Sequence, residues 1–176
     1  MDISSLNSIF SAATIGLQIL IAVLLVSLIT KSNKPLVDFF AGRAILFSFL
    51  IALAAVIVSL FYSEIIGYTP CELCWFQRTL MYPQVILLGL ALWKKDKAIA
   101  DYSLALSLVG GAIAAYHYYG QMFNLSALPC AAAGVAVSCA QRFFVEFGYV
   151  TIPMMSLTAF LAIAIFMIAR KFQELY

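Results

Sequence analysis

Charge is what this sequence has least of. Its 176 residues include 10 Lys and Arg and 8 Asp and Glu, so 10% are charged, against about 25% in a soluble domain. So few ionisable groups cannot clothe a water-soluble surface, and hydrophobic residues at 65% leave too little else to do it. Mean hydropathy is +1.04. A net charge of +2, carried in small groups between apolar runs, excludes the basic footprint of a nucleic-acid binder. Low charge together with 14% aromatics excludes a disordered chain. There is one histidine and a single Cys-x-x-Cys, so the usual structural zinc sets have no second half. Trp75, where haem attachment needs His, excludes that chemistry too. No internal repeat, low-complexity tract or domain linker is present.

What is there is a set of long apolar runs. Residues 9–29, 44–63, 79–93, 102–122 and 150–169 are almost free of charge. A helix crosses the hydrocarbon core in about 20 residues, and the runs do not alternate as barrel strands must. The pattern predicts an all-α integral membrane protein with five spans. The first run is longer than a signal-peptide core, and no basic leader precedes it, which favours a retained span.

Eight of the ten basic residues fall in 31–43, 94–101 and the tail from Arg170, while Arg78 and Arg142 occupy the alternate connections. The positive-inside rule puts the richer side in the cytoplasm. The N-terminus and segments 64–78 and 123–149 are then extracytoplasmic, and the C-terminus is cytoplasmic. Trp93 and Tyr102 mark the inner interface; Phe39 and Phe40 are expected to dip into it. All four cysteines, Cys71, Cys74, Cys130 and Cys139, fall on the outer side, where disulfides persist.

Cys71 and Cys74 follow Thr69-Pro70. Thr69 with Glu72 reads as a capping box and Pro70 as the first helical residue. This predicts a third span beginning at Thr69, with both cysteines in its opening turns, where backbone N–H groups favour a thiolate. Glu72 works against that effect. Arg78 lies one turn deeper on the face of Cys74, where a thiolate and a ligand carbonyl would offset its desolvation cost. A two-residue spacer closes too small a ring to stabilise much, which favours an exchange-active dithiol over a structural disulfide. Cys130 and Cys139 taken alone read as an ordinary loop pair.

Beyond them, Gln141 to Gly148 places Phe143, Phe144 and Phe147 on one helical face and Arg142 four residues before Glu146. This favours a short interfacial helix over a surface turn leading to Pro153. Gln77, Gln84 and Gln121 read as helix–helix hydrogen bonds more readily than as pocket residues, and Met154 and Met155 as packing.

The runs Cys71-Glu-Leu-Cys-Trp-Phe-Gln-Arg78-Thr-Leu-Met-Tyr-Pro83, Tyr116-His117-Tyr118, Pro129-Cys130 and Phe147-Gly-Tyr-Val-Thr-Ile-Pro153 resemble the DsbB/BdbC family of membrane disulfide-formation proteins, nearest its BdbC-like branch, over about residues 40–170. The resemblance implies a four-helix bundle in the bacterial cytoplasmic (inner) membrane. It implies reoxidation of a thioredoxin-fold dithiol oxidase (DsbA-like) and delivery of electrons to a quinone, ubiquinone or menaquinone; no metal is implied. Carried onto this chain, a partner thiolate attacks Cys130 of the Cys130–Cys139 disulfide, Cys139 attacks Cys71, and Cys74 leaves beside the quinone with Arg78 stabilising it. His117 is placed to supply a proton to the reduced quinone or, with equal weight, to make one bond among tyrosines. The family has four spans, so residues 1–43 form an additional helix with its cytoplasmic connection ahead of a thiol oxidase domain at 44–176. That helix either packs against the bundle or covers an open quinone groove. Other readings are a disulfide-stabilised scaffold without turnover and a VKOR-like quinone reductase, although VKOR proteins place the loop cysteines before the CxxC.

The basic asymmetry makes a direct prediction. In reduced intact cells a membrane-impermeant thiol reagent modifies the cysteines; modification only after lysis would reverse the topology.

Overall fold

The apolar runs become helices because a backbone surrounded by lipid must satisfy its own N–H and C=O groups. The computed structural model describes residues 3–30, 33–96, 98–123 and 138–175. They form α1 (Ile3–Thr30), α2 (Lys34–Gly42), α3 (Ala44–Leu60) with a wider π turn at Phe61–Ile65, α4 (Glu72–Lys94), α5 (Ile99–Met122) and α6 (Ile152–Leu175). The protein is an all-α, multi-pass integral membrane protein. Among the described residues α1, α3 with its π turn, α5 and α6 are long and apolar enough to cross a bilayer. Helix α4 has 23 residues but falls short in apolarity, since Glu72, Gln77, Arg78 and Gln84 interrupt it.

Helix α6 is the hub, packing against α5, α3, α1 and α2. Its stretch around Phe160, Ile163, Phe166 and Met167 is almost wholly buried, as expected of a helix apolar all round. Two of the apolar clusters among the described residues organise the middle of the bundle. One joins Met81, Leu88, Ala114 and Phe160 across α4, α5 and α6. The other joins Leu24, Ala44 and Phe166 and ties α1 to α3 and α6. Phe40 of α2 packs into the second cluster through Phe47 and Phe166. Phe39 is half exposed beneath the Arg43 guanidinium.

Several polar side chains inside the bundle have protein partners, which offsets the cost of burying them. Gln84 is fully buried, and its carbonyl accepts from Ser103 and Ser107 of α5. Gln121 donates to the Gln141 carbonyl. The Gln84 bonds are the helix–helix contact expected from the sequence, whereas Gln121 reaches the 141–150 turn instead of another helix.

Two expectations are corrected. Helix α4 begins at Glu72 and not at Thr69, with Cys71 at its N-cap in extended geometry and no side-chain capping bond. Pro70 disfavours helical backbone at Thr69, and Cys71 is turned instead toward α5. Residues 141–150 form no helix: the segment is a turn closed by an antiparallel bridge between Glu146 and Val150. Phe147 and Gly148 both have positive φ, a left-handed step that cannot continue a helix. The expected Arg142–Glu146 pairing gives way to other partners. Arg142 donates to the carbonyls of Gln121 and Met122 at the end of α5, satisfying orphan helix acceptors, while Ser8 of α1 donates to Glu146. Phe143 stacks on Tyr68 and Phe144 lies against Tyr62.

At Gly110 of α5 an added Cβ would stand 2.3 Å from the Phe160 ring, so the two helices approach closely there. Gly110→Ala therefore lowers stability by about 1–3 kcal/mol through overpacking. Combining it with Phe160→Leu costs less than the sum of the two, as a double-mutant cycle of detergent unfolding will measure; strict additivity would contradict this contact.

Candidate functional site

Cys71 and Cys74 are held by the start of α4, His117 by the C-terminal end of α5, and Cys139 by the turn that precedes the Glu146–Val150 bridge. All but Cys74 are buried. The sulfurs of Cys71 and Cys139 and a ring nitrogen of His117 lie within 4.8 Å of one another. Cys71 and Cys74 are free thiols with their sulfurs 3.2 Å apart, and Cys139 is disulfide-bonded. Cys130 lies outside the described residues.

His117 is the centre of this cluster. The Gln77 amide nitrogen stands 3.0 Å from its Nδ1, which leaves Nε2 to donate to the Cys139 carbonyl at 3.1 Å. The same Nε2 is 3.6 Å from the Cys71 sulfur. One imidazole thus spans α4, α5 and the loop that carries Cys139. Gln77, which the sequence left among bland helix–helix contacts, does join two helices, and in doing so it orients the ring. Its position three residues after Cys74, facing the lone histidine, was the available signal.

The Cys71 thiol is held well below the ordinary thiol range. The largest cause is the hydrogen bond from the Cys74 thiol; burial opposes it, and His117 adds to it. The low value favours a thiolate at Cys71 at neutral pH.

Arg78 is buried among helices rather than snorkelling outward. Its Nε donates to the Ser59 hydroxyl and its Nη2 to the Ser59 carbonyl, both at 2.9 Å. The guanidinium lies 5.3 Å from the centre of the Trp75 ring. Ser59 stands just before the π turn, a partner for Arg78 that no spacing in the sequence reveals.

Beside this cluster is a cavity of about 350 Å³, within the usual range for small-molecule sites. Cys74, Gln77, Arg78 and His117 border it, and Leu17, Ile51, Val58 and Ala159 supply apolar wall. A polar, cation-bearing end and an apolar body suit a carbonyl-bearing ring with a hydrocarbon tail. The Cys71–His117–Cys139 trio has the spacing of metal ligands, yet a disulfide-bonded Cys139 does not offer the thiolate a soft metal needs.

The family model of disulfide bond formation protein DsbB matches residues 41–170. The chain belongs to the DsbB family. Disulfide bond formation protein C of Bacillus subtilis is 40% identical over 126 residues, covering 70% of this chain and 89% of that protein. Probable disulfide formation protein C of Halalkalibacterium halodurans is 43% identical over 118 residues, 67% of this chain and 85% of its own length. Probable disulfide formation protein C 1 of Bacillus anthracis is 44% identical over 111 residues, 63% and 79% of the two chains. No solved structure matches. Membership of the DsbB family makes this a membrane protein of disulfide bond formation, with the thiol oxidoreductase activity the family carries. The family match leaves α1 outside.

The pairing at the start of α4 can be tested by alkylation. With the Cys139 disulfide intact, iodoacetamide modifies Cys71 at a rate that is flat across neutral pH and falls only at clearly acidic pH. Cys74→Ala removes the main stabilising donor, and the midpoint moves up toward the free thiol value of about 8.5. Identical profiles would show that the two sulfurs do not interact.

Proposed function

We propose that the protein is a membrane thiol:quinone oxidoreductase that reoxidises a thioredoxin-fold dithiol oxidase of DsbA type and passes the electrons to ubiquinone or menaquinone. The observation that carries this reading is the meeting of Cys71 and Cys139 around His117, at the edge of a cavity bordered by Cys74 and Arg78. In this reading α4 is the fifth span. At about 1.5 Å per residue its 23 residues reach across a core of about 30 Å, and Gln77, Arg78 and Gln84 are turned inward to protein partners. The N-terminus and both cysteine segments are then extracytoplasmic, the C-terminus lies in the cytoplasm, and the membrane is the bacterial inner membrane. Residues 1–43 add a helix to a thiol oxidase domain at 44–176.

The exchanges run between sulfurs. A partner thiolate attacks Cys130, forming a mixed disulfide and releasing Cys139 as thiolate. Cys139 attacks Cys71 of an oxidised Cys71–Cys74 pair, and Cys74 leaves as thiolate. The partner's second thiolate then attacks the mixed disulfide, so that the partner departs oxidised and Cys130 is released. Cys130 finally attacks Cys139, restoring the loop disulfide and freeing Cys71. The end point has two free thiols at Cys71 and Cys74 and a bonded Cys139, the same arrangement as in the structure. The donor that lowers the Cys71 value also makes Cys71 a good leaving group. His117 holds the Cys139 carbonyl and keeps the two sulfurs in reach.

A quinone, when bound, supplies acceptance of two electrons and two protons. Arg78, already fixed by Ser59, has further N–H groups for a carbonyl oxygen, and the apolar wall excludes water from the Cys74 side. A scaffold without turnover gives no reason for a buried arginine at a cavity that also contains a free thiol.

The test is quinone-dependent oxidation of a reduced thioredoxin-fold partner in liposomes. Wild type catalyses it. Arg78→Met raises the quinone KM by about tenfold or more, as loss of a charge-assisted bond of about 1.5–3 kcal/mol requires, and leaves exchange with the partner intact. Arg78→Lys recovers part of the loss, because it restores charge without the planar fork. An unchanged KM would remove Arg78 from the quinone site.

A further inference from the structure

Helix α1, which lies outside the family match at 41–170, forms one wall of the cavity. Phe10, Ala13, Thr14 and Leu17 border it from α1, and Ile51, Ala54, Ala55 and Val58 border it from α3. Both sets follow an i, i+3, i+4, i+7 spacing, so each is a single helical face. The Thr14 hydroxyl is turned back to the Phe10 carbonyl, which makes the α1 wall effectively apolar.

Side chains pack against one another at both ends of the space. Toward the outer face, the Phe10 ring meets Phe61 and Tyr62 edge-on, Tyr62 donates to Asn7, and Tyr68 stacks between Tyr62 and Phe143. Toward the inner face, the cluster of Leu24, Ala44 and Phe166 fills the interior between α1, α3 and α6. Between these packed ends the two exposed lining residues of the facing walls are both alanines, Ala13 of α1 and Ala54 of α3. Helix α1 is also pinned in place. Gln18 donates to Thr158 of α6 and accepts from the Tyr149 hydroxyl, and Ser8 donates to Glu146.

We propose that α1 and α3 frame a lateral doorway to the bilayer, with Ala13 and Ala54 as its two posts, through which the tail of an isoprenoid quinone leaves the cavity while its ring lies beside Arg78. The inference rests on the quinone reading above and deepens it: α1 turns an open groove into a site that takes tailed quinones by their tails. Small residues at the posts leave the width a branched hydrocarbon chain needs, and the apolar face below Phe10 gives that chain a dry surface. The pins at Gln18, Ser8 and Asn7 hold α1 at this spacing, so that it does not collapse onto α3.

The experiment uses the full-length protein in detergent and follows quinone binding by quenching of tryptophan fluorescence, alongside turnover in liposomes. The ligands are an isoprenoid-tailed naphthoquinone and its tail-less parent, menadione. Ala13→Phe and Ala54→Phe each weaken binding of the tailed quinone by about tenfold or more, equivalent to about 1.4 kcal/mol. Menadione binding changes by less than about twofold, which is within about 0.4 kcal/mol by the same conversion and shows the site still folded. Ile19→Phe, on the outward face of α1, alters neither. Equal affinities for the tailed quinone in wild type and both doorway variants would overturn the doorway. If Arg78→Met still weakens both ligands in that case, the quinone reading survives without it. If Arg78→Met is also silent, both fall.

Discussion

The imidazole of His117 lies between α4, α5 and the loop of Cys139, with both ring nitrogens in hydrogen-bond reach of protein partners, and the geometry of the site depends on that arrangement. In a buried, weakly polar setting an unpaired ring nitrogen costs more than the bond itself gains. The demand for partners therefore acts as a positioning force. Satisfying Nδ1 brings Gln77 of α4 against α5, and satisfying Nε2 brings the Cys139 backbone down over Cys71. The proximity of the two cysteine positions is a by-product of saturating one side chain.

The same constraint runs along α4. Its polar residues are too numerous for a helix facing lipid, and three of them are turned inward: Gln77 to His117, Arg78 to Ser59, Gln84 to Ser103 and Ser107. The deeper of these bonds lock α4 to α5, and the Arg78 pair locks it to the end of α3. What remains unused is the rest of the Arg78 guanidinium, beside a cavity that also contains the Cys74 side chain. The residue that makes α4 a poor membrane helix by composition is thus the one that gives the cavity its positive end.

Helix α1 and the turn at 141–150 solve a related problem at the end of the bundle that carries the cysteines. Six aromatic rings, among them Tyr62, Tyr68, Phe143 and Phe144, pack edge-on and face to face at that end of the cavity. The phenylalanines that a helical wheel would send into the membrane are spent on this cluster. Arg142 is drawn to the last carbonyls of α5 because those acceptors have no helical donor, and Glu146 is left for Ser8. The loop is anchored on three helices without being helical itself.

Much of this was legible in the sequence because it is local. Length and apolarity of the runs determine that the chain is helical and membrane-embedded, since twenty lipid-facing residues have no other way to satisfy their backbone. Cys71, Cys74 and Arg78 announce a thiol site with a cation one turn away, because helical spacing alone brings Arg78 to the face of Cys74. Tertiary structure decided the rest. That Cys71 is a cap and not a helical residue follows from its contacts with His117 and Cys139, 46 and 68 residues away in sequence. That Ser59 holds Arg78, that 141–150 turns back instead of coiling, and that α1 walls a cavity with α3 are all products of partners distant in the chain. Periodicity reports which face of a segment is apolar; it carries no information about which other segment will meet that face, and the site is built where such faces meet.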